Sequence, residues 1–447
     1  MNFKTLISWS MVASVFMDDF IILRFVLPFD FYVYYLIFIV NIIYYIAVKP
    51  KPLLIPKWFS RSIFLIIGVT LVVTQINGTF DFRVVKQIIG IVFTSIAYYT
   101  FISLNNFNLK QIFKWYIIAA FLVSGYGIME EFLHLSGIHI SKDVRRTGFG
   151  LYRIYSIMGE PYFLAVAIIP ALYFLWANIK KRVYNYSLRK QFYGLIIISI
   201  CFILTFSSAG FIGFALIILF MFYNRGYFSI TNWRIIFLPL IFVTLILVFS
   251  NIKDGWQEFD IKYTETIGAF TSGTHRKEDV ASMNSSSFAL YSNYLVAMAS
   301  FEDYPITGTG LGTHEKNYID RFSEFFDSDF LTRYGAFNNY DANSLFLRLM
   351  SETGLLGLGL FFTFLLKFFL RRKGYRNPEL RDYTIMNQGI FIWFVVRLVR
   401  TGNYFGNGFF LFFFIYYFSW KIVKNQLRQQ GNVKEKRIVT QKMILSE

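Results

Sequence analysis

Residues 343–370 read NSLFLRLMSETGLLGLGLFFTFLLKFFL. The stretch is long enough to cross the roughly 30 Å hydrocarbon core of a bilayer, which takes about 20 apolar residues in a helix. It also carries Arg348 and Glu352, although an Arg at the centre of a membrane helix costs about 2.5–3.5 kcal/mol. The stretch therefore predicts a membrane-spanning helix whose charged side chains have a specific partner or task.

The whole 447-residue chain has the same character. Hydrophobic residues make up 55% of it and aromatic residues 21%, whereas only 16% are charged, against about 25% in soluble domains. A water-soluble protein of this length could not bury so much apolar side chain, so lipid must be its solvent. The single Cys, Cys201, excludes a disulfide framework, and none of the four His has the spacing of a zinc site. We expect neither a metal nor another cofactor.

We predict an all-α fold, a polytopic transmembrane helical bundle of about 12 spans with one large extracytoplasmic loop. The expected spans are 5–26, 31–48, 62–77, 84–104, 111–129, 161–178, 192–208, 209–224, 235–250, 343–370, 383–400 and 408–422. The expected regions are N-terminal transmembrane helices at 1–250 with a short outer segment at 130–160, the extracytoplasmic loop with amphipathic helices at 251–342, C-terminal transmembrane helices at 343–422 and a basic cytoplasmic tail at 423–447.

The distribution of Lys and Arg predicts the orientation. The connections 49–61, 179–190 and 371–381 are short and basic, and they fall on the side of the tail if there are twelve spans. The loop 251–342 has seven Lys and Arg against fourteen Asp and Glu. Because basic loops stay cytoplasmic, both termini are expected inside and the loop outside. The net charge of +17 is explained by the same bias and requires no nucleic-acid partner.

One helix is expected inside this loop. Residues 286–304 place Phe288, Tyr291, Leu295, Met298 and Phe301 at helical spacing. That face is expected to lie on the membrane or to cap the bundle. Pro305 and the glycines of 307-TGTGLG-312 end the helix, and we interpret these glycines as a plain turn rather than a phosphate loop, since no strand precedes them.

Arginines gather where the predicted spans meet the outer surface. They are Arg83, Arg153, Arg348, Arg397 and Arg400, with Arg145 and Arg146 in the outer segment. Guanidinium keeps its charge and binds phosphate oxygens in a bidentate fork, so the group predicts a site for a phosphorylated lipid. The structural alternative is snorkelling to headgroups, or ion pairing with Asp18, Asp19, Asp81 and Glu352.

Two motifs carry further polar residues. In 153-RIYSIMGEP-161, Pro161 is a helix-start signal, and Glu160 either favours the helix dipole or, partly desolvated, orients or deprotonates a sugar hydroxyl. In 343–370, Ser344, Arg348 and Glu352 recur every four residues, which indicates an intrahelical ion pair. Gly354, Gly357 and Gly359 indicate close helix packing.

The order of these motifs resembles the bacterial O-antigen polymerase and O-antigen ligase superfamily from about residue 84 to 370. The segments that carry the resemblance are Arg153 with 159-GEPYFLA-165, 204-LTFSSAGFIGF-214, 304-YPITGTGLG-312 and 343-NSLFLRLMSETGLLG-357. The chain departs from the family at Ala209, where an Arg is often found, and at Asn343, where the ligases carry a His. The second departure favours the polymerase.

The resemblance implies a metal-independent, inverting glycosyltransferase in the bacterial cytoplasmic membrane. Its substrate would be an oligosaccharide repeat unit on undecaprenyl diphosphate at the outer face. A flippase and a chain-length regulator are the implied partners, besides the bilayer. Arg153, Arg348 and Glu160 are the expected catalytic residues, and the expected substrate-binding residues are Arg83, Arg145, Arg146, Asn343, Glu352, Arg397 and Arg400.

Three functions stay open at this point. The polymerase is favoured, and the alternatives are a ligase that moves finished polymer to another acceptor and a polysaccharide transporter or flippase. A transporter would be expected to have charges at mid-depth and paired broken helices. The sugar, its linkage and the kind of polymer (O-antigen, capsule or exopolysaccharide) are not encoded in any motif.

Overall fold

The computed structural model describes residues 2–17, 21–23, 31–49, 55–138, 150–184, 187–227, 285–326, 337–406 and 408–444. The predicted span 235–250, the first part of the outer loop, and Asp18, Asp19, Arg145 and Arg146 lie outside these ranges. The helices are α1 Phe3–Ala13, α2 Val33–Val48, α3 Lys57–Ile76, α4 Phe82–Leu104, α5 Leu109–Leu135, α6 Pro161–Ala177, α7 Leu188–Leu204, α8 Ser208–Arg225, α9 Ser285–Asp303, α10 His314–Phe325, α11 Leu345–Lys367, α12 Arg372–Arg376, α13 Arg381–Val399 and α14 Phe409–Ile444.

The described residues form an all-α membrane protein, as predicted. Within them, α3, α4, α5, α8 and the stretch Leu345–Arg376 are long and apolar enough to cross a bilayer, and three shorter helices, α1 with its extension to Phe16, α2 and α6, are also apolar. The number of twelve spans remains a prediction. α14 runs from Phe409 to Ile444, across the expected start of the tail at residue 423.

The predicted first span, 5–26, is wrong as a continuous helix. α1 ends at Ala13, and a short 3₁₀ turn follows to Phe16. A two-stranded antiparallel sheet then pairs β1 (Ile21–Leu23) with β2 (Phe31–Tyr32). Asp18, Asp19 and Arg24 explain the early end, because three charges so close together would be costly inside a spanning helix.

The centre of the bundle is formed by α6 and α13. Every residue from Leu164 to Leu175 is buried, as expected for a helix that is apolar on all sides. The guanidinium of Arg381 donates to the carbonyl of Ala177 at 2.8 Å, and Gly389 lies against the backbone of Pro170. These two contacts make the helices antiparallel, so the end of α13 lies beside the start of α6.

α11 is broken at Gly354, whose φ of 57° and ψ of −154° are not helical. Residues 305–310, which we call the bracing segment, supply the hydrogen bonds that the break removes. The amides of Thr309 and Gly310 donate to the carbonyls of Ser351 and Glu352, each at 2.9 Å. The amides of Leu355 and Leu356 donate back to Pro305 and Ile306 at 2.9 and 3.0 Å.

The interpretation of 307-TGTGLG-312 as a plain turn was therefore incomplete. Part of this sequence belongs to the bracing segment, and the close contacts explain its glycines. A Cβ at Gly308 would lie 2.4 Å from the backbone of Glu352, and one at Gly310 would lie 2.3 Å from the side chain of Thr74 on α3. Irregular backbone in a membrane protein is stable where it is enclosed by protein, and here α11 and α3 enclose it.

The helix predicted at 286–304 is confirmed as α9. Phe288 and Tyr291 are buried in a cluster with Tyr318, Phe322 and Phe326, which lie on or next to α10. The apolar face of α9 thus packs against α10, whereas Met298 remains exposed. The two helices form a pair, which we call the outer helix pair because it lies in the predicted outer loop 251–342.

Candidate functional site

The candidate site lies where α6 and α11 begin and α13 ends. Two loops, 341–344 and 400–404, meet there, and we call this contact the loop crossing. The amide of Thr401 donates to the carbonyl of Asn343 at 3.1 Å, and the amide of Gly402 donates to the Asp341 carboxylate at 3.2 Å. A Cβ at Gly402 would lie 1.7 Å from the carbonyl oxygen of Asp341, so only Gly allows this approach.

The backbone of the loop crossing is strained. Ala342, Asn343 and Thr401 have φ values of 56°, 54° and 75°, in the left-handed region that costs L-residues of order 1–3 kcal/mol each. Strain of this kind persists only where surrounding contacts enforce it, and it is often found at functional sites. Ser344 contributes to that enforcement, since its hydroxyl caps α11 by accepting from Leu347 and donates to the carbonyl of Leu398 at 2.7 Å.

Arg348 is buried and its donors are directed at protein groups. Nε donates to Glu352 at 3.1 Å, Nη1 to the carbonyl of Gly402 at 3.1 Å, and Nη2 to Gln87 on α4 at 2.9 Å. The ring of Tyr404 lies 4.4 Å from the guanidinium carbon. The predicted ion pair with Glu352 is thus present, and Arg348 joins three parts of the site.

Arg397 and Arg400 lie at the C-terminal end of α13, where loop 400–404 begins. Arg397 is fully buried, donates to the carbonyl of Asn403, and stacks 4.7 Å from the ring of Trp393. Arg400 is the C-cap residue of α13 with extended backbone, so the two do not share one helix face as their spacing had suggested. Arg348 and Arg397 therefore both donate to loop 400–404, which contains Arg400.

Two carboxylates accompany these arginines. Asp341 is buried and accepts the amides of Asn343 at 3.0 Å and Gly402 at 3.2 Å. Burial raises the pKa of Asp341, and Arg348 opposes that shift. Burial lowers the pKa of the half-buried Arg400, while Tyr162, Asp341 and Glu160 act to raise it. These groups therefore form one electrostatic cluster.

Glu160 is the N-cap residue of α6 and Pro161 occupies the first turn, as predicted from the sequence. Its side chain is exposed, in contrast to the partial desolvation that we expected. An exposed carboxylate beside Arg400 is accessible to a hydroxyl group from solution. Tyr340, which is 53% exposed, lies next to Asp341 at the same site.

Asn343 is buried, and within the described residues its Nδ2 has no hydrogen-bond partner, whereas its Oδ1 accepts from Asn338 at 3.3 Å. Native structures rarely leave a buried amide donor without a hydrogen bond. A donor in this state, on a strained residue that is hydrogen-bonded to the loop carrying Arg400, is suited to an oxygen-rich ligand.

Arg83 and Arg153 belong to other segments than the two loops of the loop crossing. Arg83 pairs with Asp81 at 3.1 Å and with Glu315 of α10 at 3.3 Å, which is the ion-pairing alternative considered above. Arg153 is half-buried in the segment 151–158. Arg145 and Arg146 lie outside the described residues.

Segment 151–158 is held by two buried carboxylates that the sequence reasoning missed. Glu131 accepts the amide of Tyr152 and Glu130 accepts the amide of Ser156, each at 3.0 Å. Both glutamates lie near the C-terminal end of α5. Their closeness to a predicted outer surface was the only signal in the sequence that could have indicated their role. They fix the segment that carries Arg153 and leads to Glu160.

Other residues missed from the sequence are Gln87, Asp341, Gly402 and His314. Each gains its role from a contact between distant segments, so no local spacing indicates it. His314 does not lie at the position where the ligases carry a His, yet its Nδ1 lies 2.8 Å from Ser351 Oγ in α11. Among the described residues, no group of three or more His, Cys, Asp or Glu could hold a metal ion.

A family model described as O-antigen ligase matches residues 193–362. The match covers α7 to α10 and the part of α11 with Arg348 and Glu352. No curated protein matches the chain. Over these residues the chain is similar to the O-antigen ligase and polymerase superfamily, which supports an integral membrane protein that acts in surface polysaccharide biosynthesis.

Proposed function

We propose that this protein polymerises lipid-linked oligosaccharide repeat units at the outer face of the bacterial cytoplasmic membrane. The observation that carries the proposal is the loop crossing, where three arginines, an unpartnered amide donor and two carboxylates meet on strained backbone. A site of this composition can hold a diphosphate and a hydroxyl nucleophile side by side.

The donor would be the nascent glycan on undecaprenyl diphosphate. In the transfer, the bond between the anomeric carbon and the phosphate oxygen breaks, and the acceptor hydroxyl forms a new glycosidic bond. Negative charge develops on the leaving diphosphate, and fixed cations that are already in place stabilise such charge without reorganisation. Arg400 is half-buried and precedes Thr401, whose amide donates to Asn343, so Arg400 and Asn343 are the best placed to contact the diphosphate.

Arg348 and Arg397 are more deeply buried than Arg400 and would act from behind it. Arg348 has three hydrogen bonds to protein, and Arg397 is fully buried against Trp393 and Phe409. Both add positive potential at the loop crossing and fix loop 400–404, which carries Arg400. Because a low-dielectric surrounding strengthens such fields, their contribution does not require direct contact with phosphate.

Glu160 would receive the proton of the acceptor hydroxyl. It is exposed, stands at the N-terminus of α6, and interacts electrostatically with Arg400. Asp341 is less suited to this task, because both of its oxygens accept backbone amides. Tyr162 and Tyr340 flank Glu160 and could offer their rings to a sugar face. Arg153 and Arg83 remain proposals as substrate contacts.

The polymerase is favoured over the ligase because Asn343 stands where the ligases of the resembling family carry a His. The family model that matches is itself described as a ligase, so the ligase stays the second candidate. A transporter is less favoured: within the described ranges, α11 is the one helix with a non-helical break, and the bracing segment fills that break.

Purified protein in lipid nanodiscs tests the proposal. With undecaprenyl-diphosphate-linked repeat units as the only substrate, a polymerase produces a ladder of glycans that differ by one repeat. A ligase leaves single units unless a separate acceptor is added. Glu160→Gln and Arg153→Ala should each abolish the ladder while the protein still inserts. Normal ladders in both variants would contradict the assignment of those two residues.

A further inference from the structure

His314 connects the outer helix pair to the broken helix α11. It is the first residue of α10 and is fully buried. Its Nδ1 lies 2.8 Å from Ser351 Oγ, its Nε2 lies 3.0 Å from Asn293 Oδ1 on α9, and its backbone amide lies 3.4 Å from Glu352 Oε1. One residue thus contacts α9 and two polar side chains that precede the break, Ser351 and Glu352.

The neighbours of the imidazole determine its tautomer. Asn293 Nδ2 donates to the carbonyls of Ala289 and Phe337, so Asn293 Oδ1 must accept, and His314 Nε2 carries the proton. Nδ1 is then an acceptor for the hydroxyl of Ser351 at 2.8 Å, closer than the other acceptor of that hydroxyl, the carbonyl of Arg348 at 3.3 Å. The imidazole in this state is neutral, and burial together with Arg348 lowers its pKa to about 3.

Glu352 Oε1 is shared between two donors. It accepts from Arg348 Nε at 3.1 Å and from the amide of His314 at 3.4 Å. The helical bonds that would normally fix residues 351 and 352 are lost at Gly354, and the bracing segment replaces them. The orientation of Arg348 therefore depends on contacts from outside its own helix.

We propose that His314 is a positioning residue for the transfer reaction: its neutral imidazole holds Ser351 and its backbone amide holds Glu352, so that Arg348 keeps loop 400–404 in place. The inference rests on the proposed function. A core histidine that serves packing alone would have no reason to contact the residues that orient Arg348. Here, two of its three polar contacts are to Ser351 and Glu352, one turn from Arg348.

Three variants separate the contacts of the imidazole. Ser351→Ala removes the donor to Nδ1 and leaves the ring in place. His314→Gln extends an amide towards Asn293 but loses the acceptor next to Ser351. His314→Asn places an amide oxygen near the position of Nδ1 and retains that acceptor. Asn387→Ala is the control for a general loss of stability. Asn387 lies in the half of α13 away from the loop crossing and bonds to Leu370 and Tyr416.

The measurements are kcat and KM for lipid-linked repeat units, per folded protein in nanodiscs. Ser351→Ala and His314→Gln should each lower kcat about tenfold, the size expected for one buried hydrogen bond, with KM changed less than twofold. The double variant should be no worse than either single variant, because both remove the same contact. His314→Asn should recover most of kcat, and Asn387→Ala should lower the melting temperature without lowering kcat.

Wild-type kcat in Ser351→Ala would overturn the inference, as would additive losses in the double variant. If His314→Gln does not fold, Ser351→Ala and His314→Asn still decide the question. A wild-type protein that forms no glycan would overturn the proposed function and the inference with it. An active wild type with unaffected variants would overturn the inference alone.

Discussion

The two halves of α13 have opposite surroundings. Near its start, Asn387 accepts from Leu370 at 2.8 Å and donates to Phe368, Tyr416 and Ser419. Gln388 accepts from Tyr173 at 2.8 Å and donates to Asn224 at 3.1 Å. Neutral amides with complete hydrogen bonding hold helices together at that end.

At the other end of α13 lie charged side chains, strained backbone and an amide side chain whose hydrogen bonding is incomplete. Arg397 and Arg400 flank the end of the helix, Thr401 follows with φ of 75°, and Asn343 has a donor without a partner among the described residues. A bundle that needed only stability could use amide networks at both ends. The difference supports the proposal that the loop crossing serves binding and chemistry, and the following predictions test that contrast.

The largest effect is expected at Arg348. Arg348→Met should lower the free energy of unfolding by about 3–5 kcal/mol, because it leaves Glu352 buried without its cation. The double variant Arg348→Met, Glu352→Gln should regain part of that stability without regaining activity. Thermal unfolding in detergent and the polymerisation assay provide the two readouts. A double variant that is as active as the wild type would show that the pair is structural only.

Arg400 should affect activity far more than stability. Arg400→Gln is expected to lower kcat about 10²–10³-fold, the cost of one preorganised charge-stabilising donor, with little change in melting temperature because the side chain is half-buried. Asn387→Ala should behave in the opposite way, losing stability while kcat is kept. Equal loss of activity in both variants would erase the contrast between the two ends.

Gly354 tests the break in α11. Gly354→Ala should destabilise the protein by about 1–3 kcal/mol, since φ is 57° and the new Cβ would lie 2.7 Å from the backbone of Gly308 and Ile306. Gly359→Ala is the matched control, because it lies in the same helix with no atom within 4 Å of its Cβ. It should be neutral or stabilising by up to about 1 kcal/mol. Similar melting temperatures for both variants would contradict the bracing of α11 by residues 305–310.

The last effect is a pH dependence at His314, which is absent at neutral pH. Its pKa in the folded protein, about 3, lies below the value near 6.5 of an unfolded chain. Between these values the unfolded state binds more protons, so stability is complete above pH 6.5 and falls as the pH decreases, by up to about 1.4 kcal/mol per unit. His314→Gln removes this dependence. Melting temperatures between pH 6.5 and 4.5 should therefore fall more steeply for the wild type, and parallel curves would show that folding does not lower the pKa of His314.

Much of the fold can be predicted from the length of the apolar stretches in the sequence. The start of α6 at Pro161 and the helix α9 were predicted within one residue, and the bounds of α3 to α5 within six residues, because each rests on a local signal. The first span failed because its second half combines charges with β-forming residues. The break at Gly354 was missed because it depends on the bracing segment, which lies about 45 residues earlier in the chain.

The site was predictable only in part for the same reason. Arg348 and Glu352 are four residues apart on one helix, so their ion pair could be predicted. The contacts of Arg348 with Gln87 and Gly402 span 261 and 54 residues, and no periodicity reports such pairs. Arg83 shows the converse, since its position at a helix start suggested a ligand, whereas its ion pairs are with Asp81 and Glu315.

The most direct test of the loop crossing as the diphosphate site is lipid binding. Native mass spectrometry of the protein in nanodiscs can compare undecaprenyl diphosphate with undecaprenyl monophosphate for the wild type, Arg400→Gln and Asn387→Ala. The wild type and Asn387→Ala should prefer the diphosphate at least about tenfold, the equivalent of one charge-assisted contact, and Arg400→Gln should lose that preference. An unchanged preference in Arg400→Gln would contradict the account.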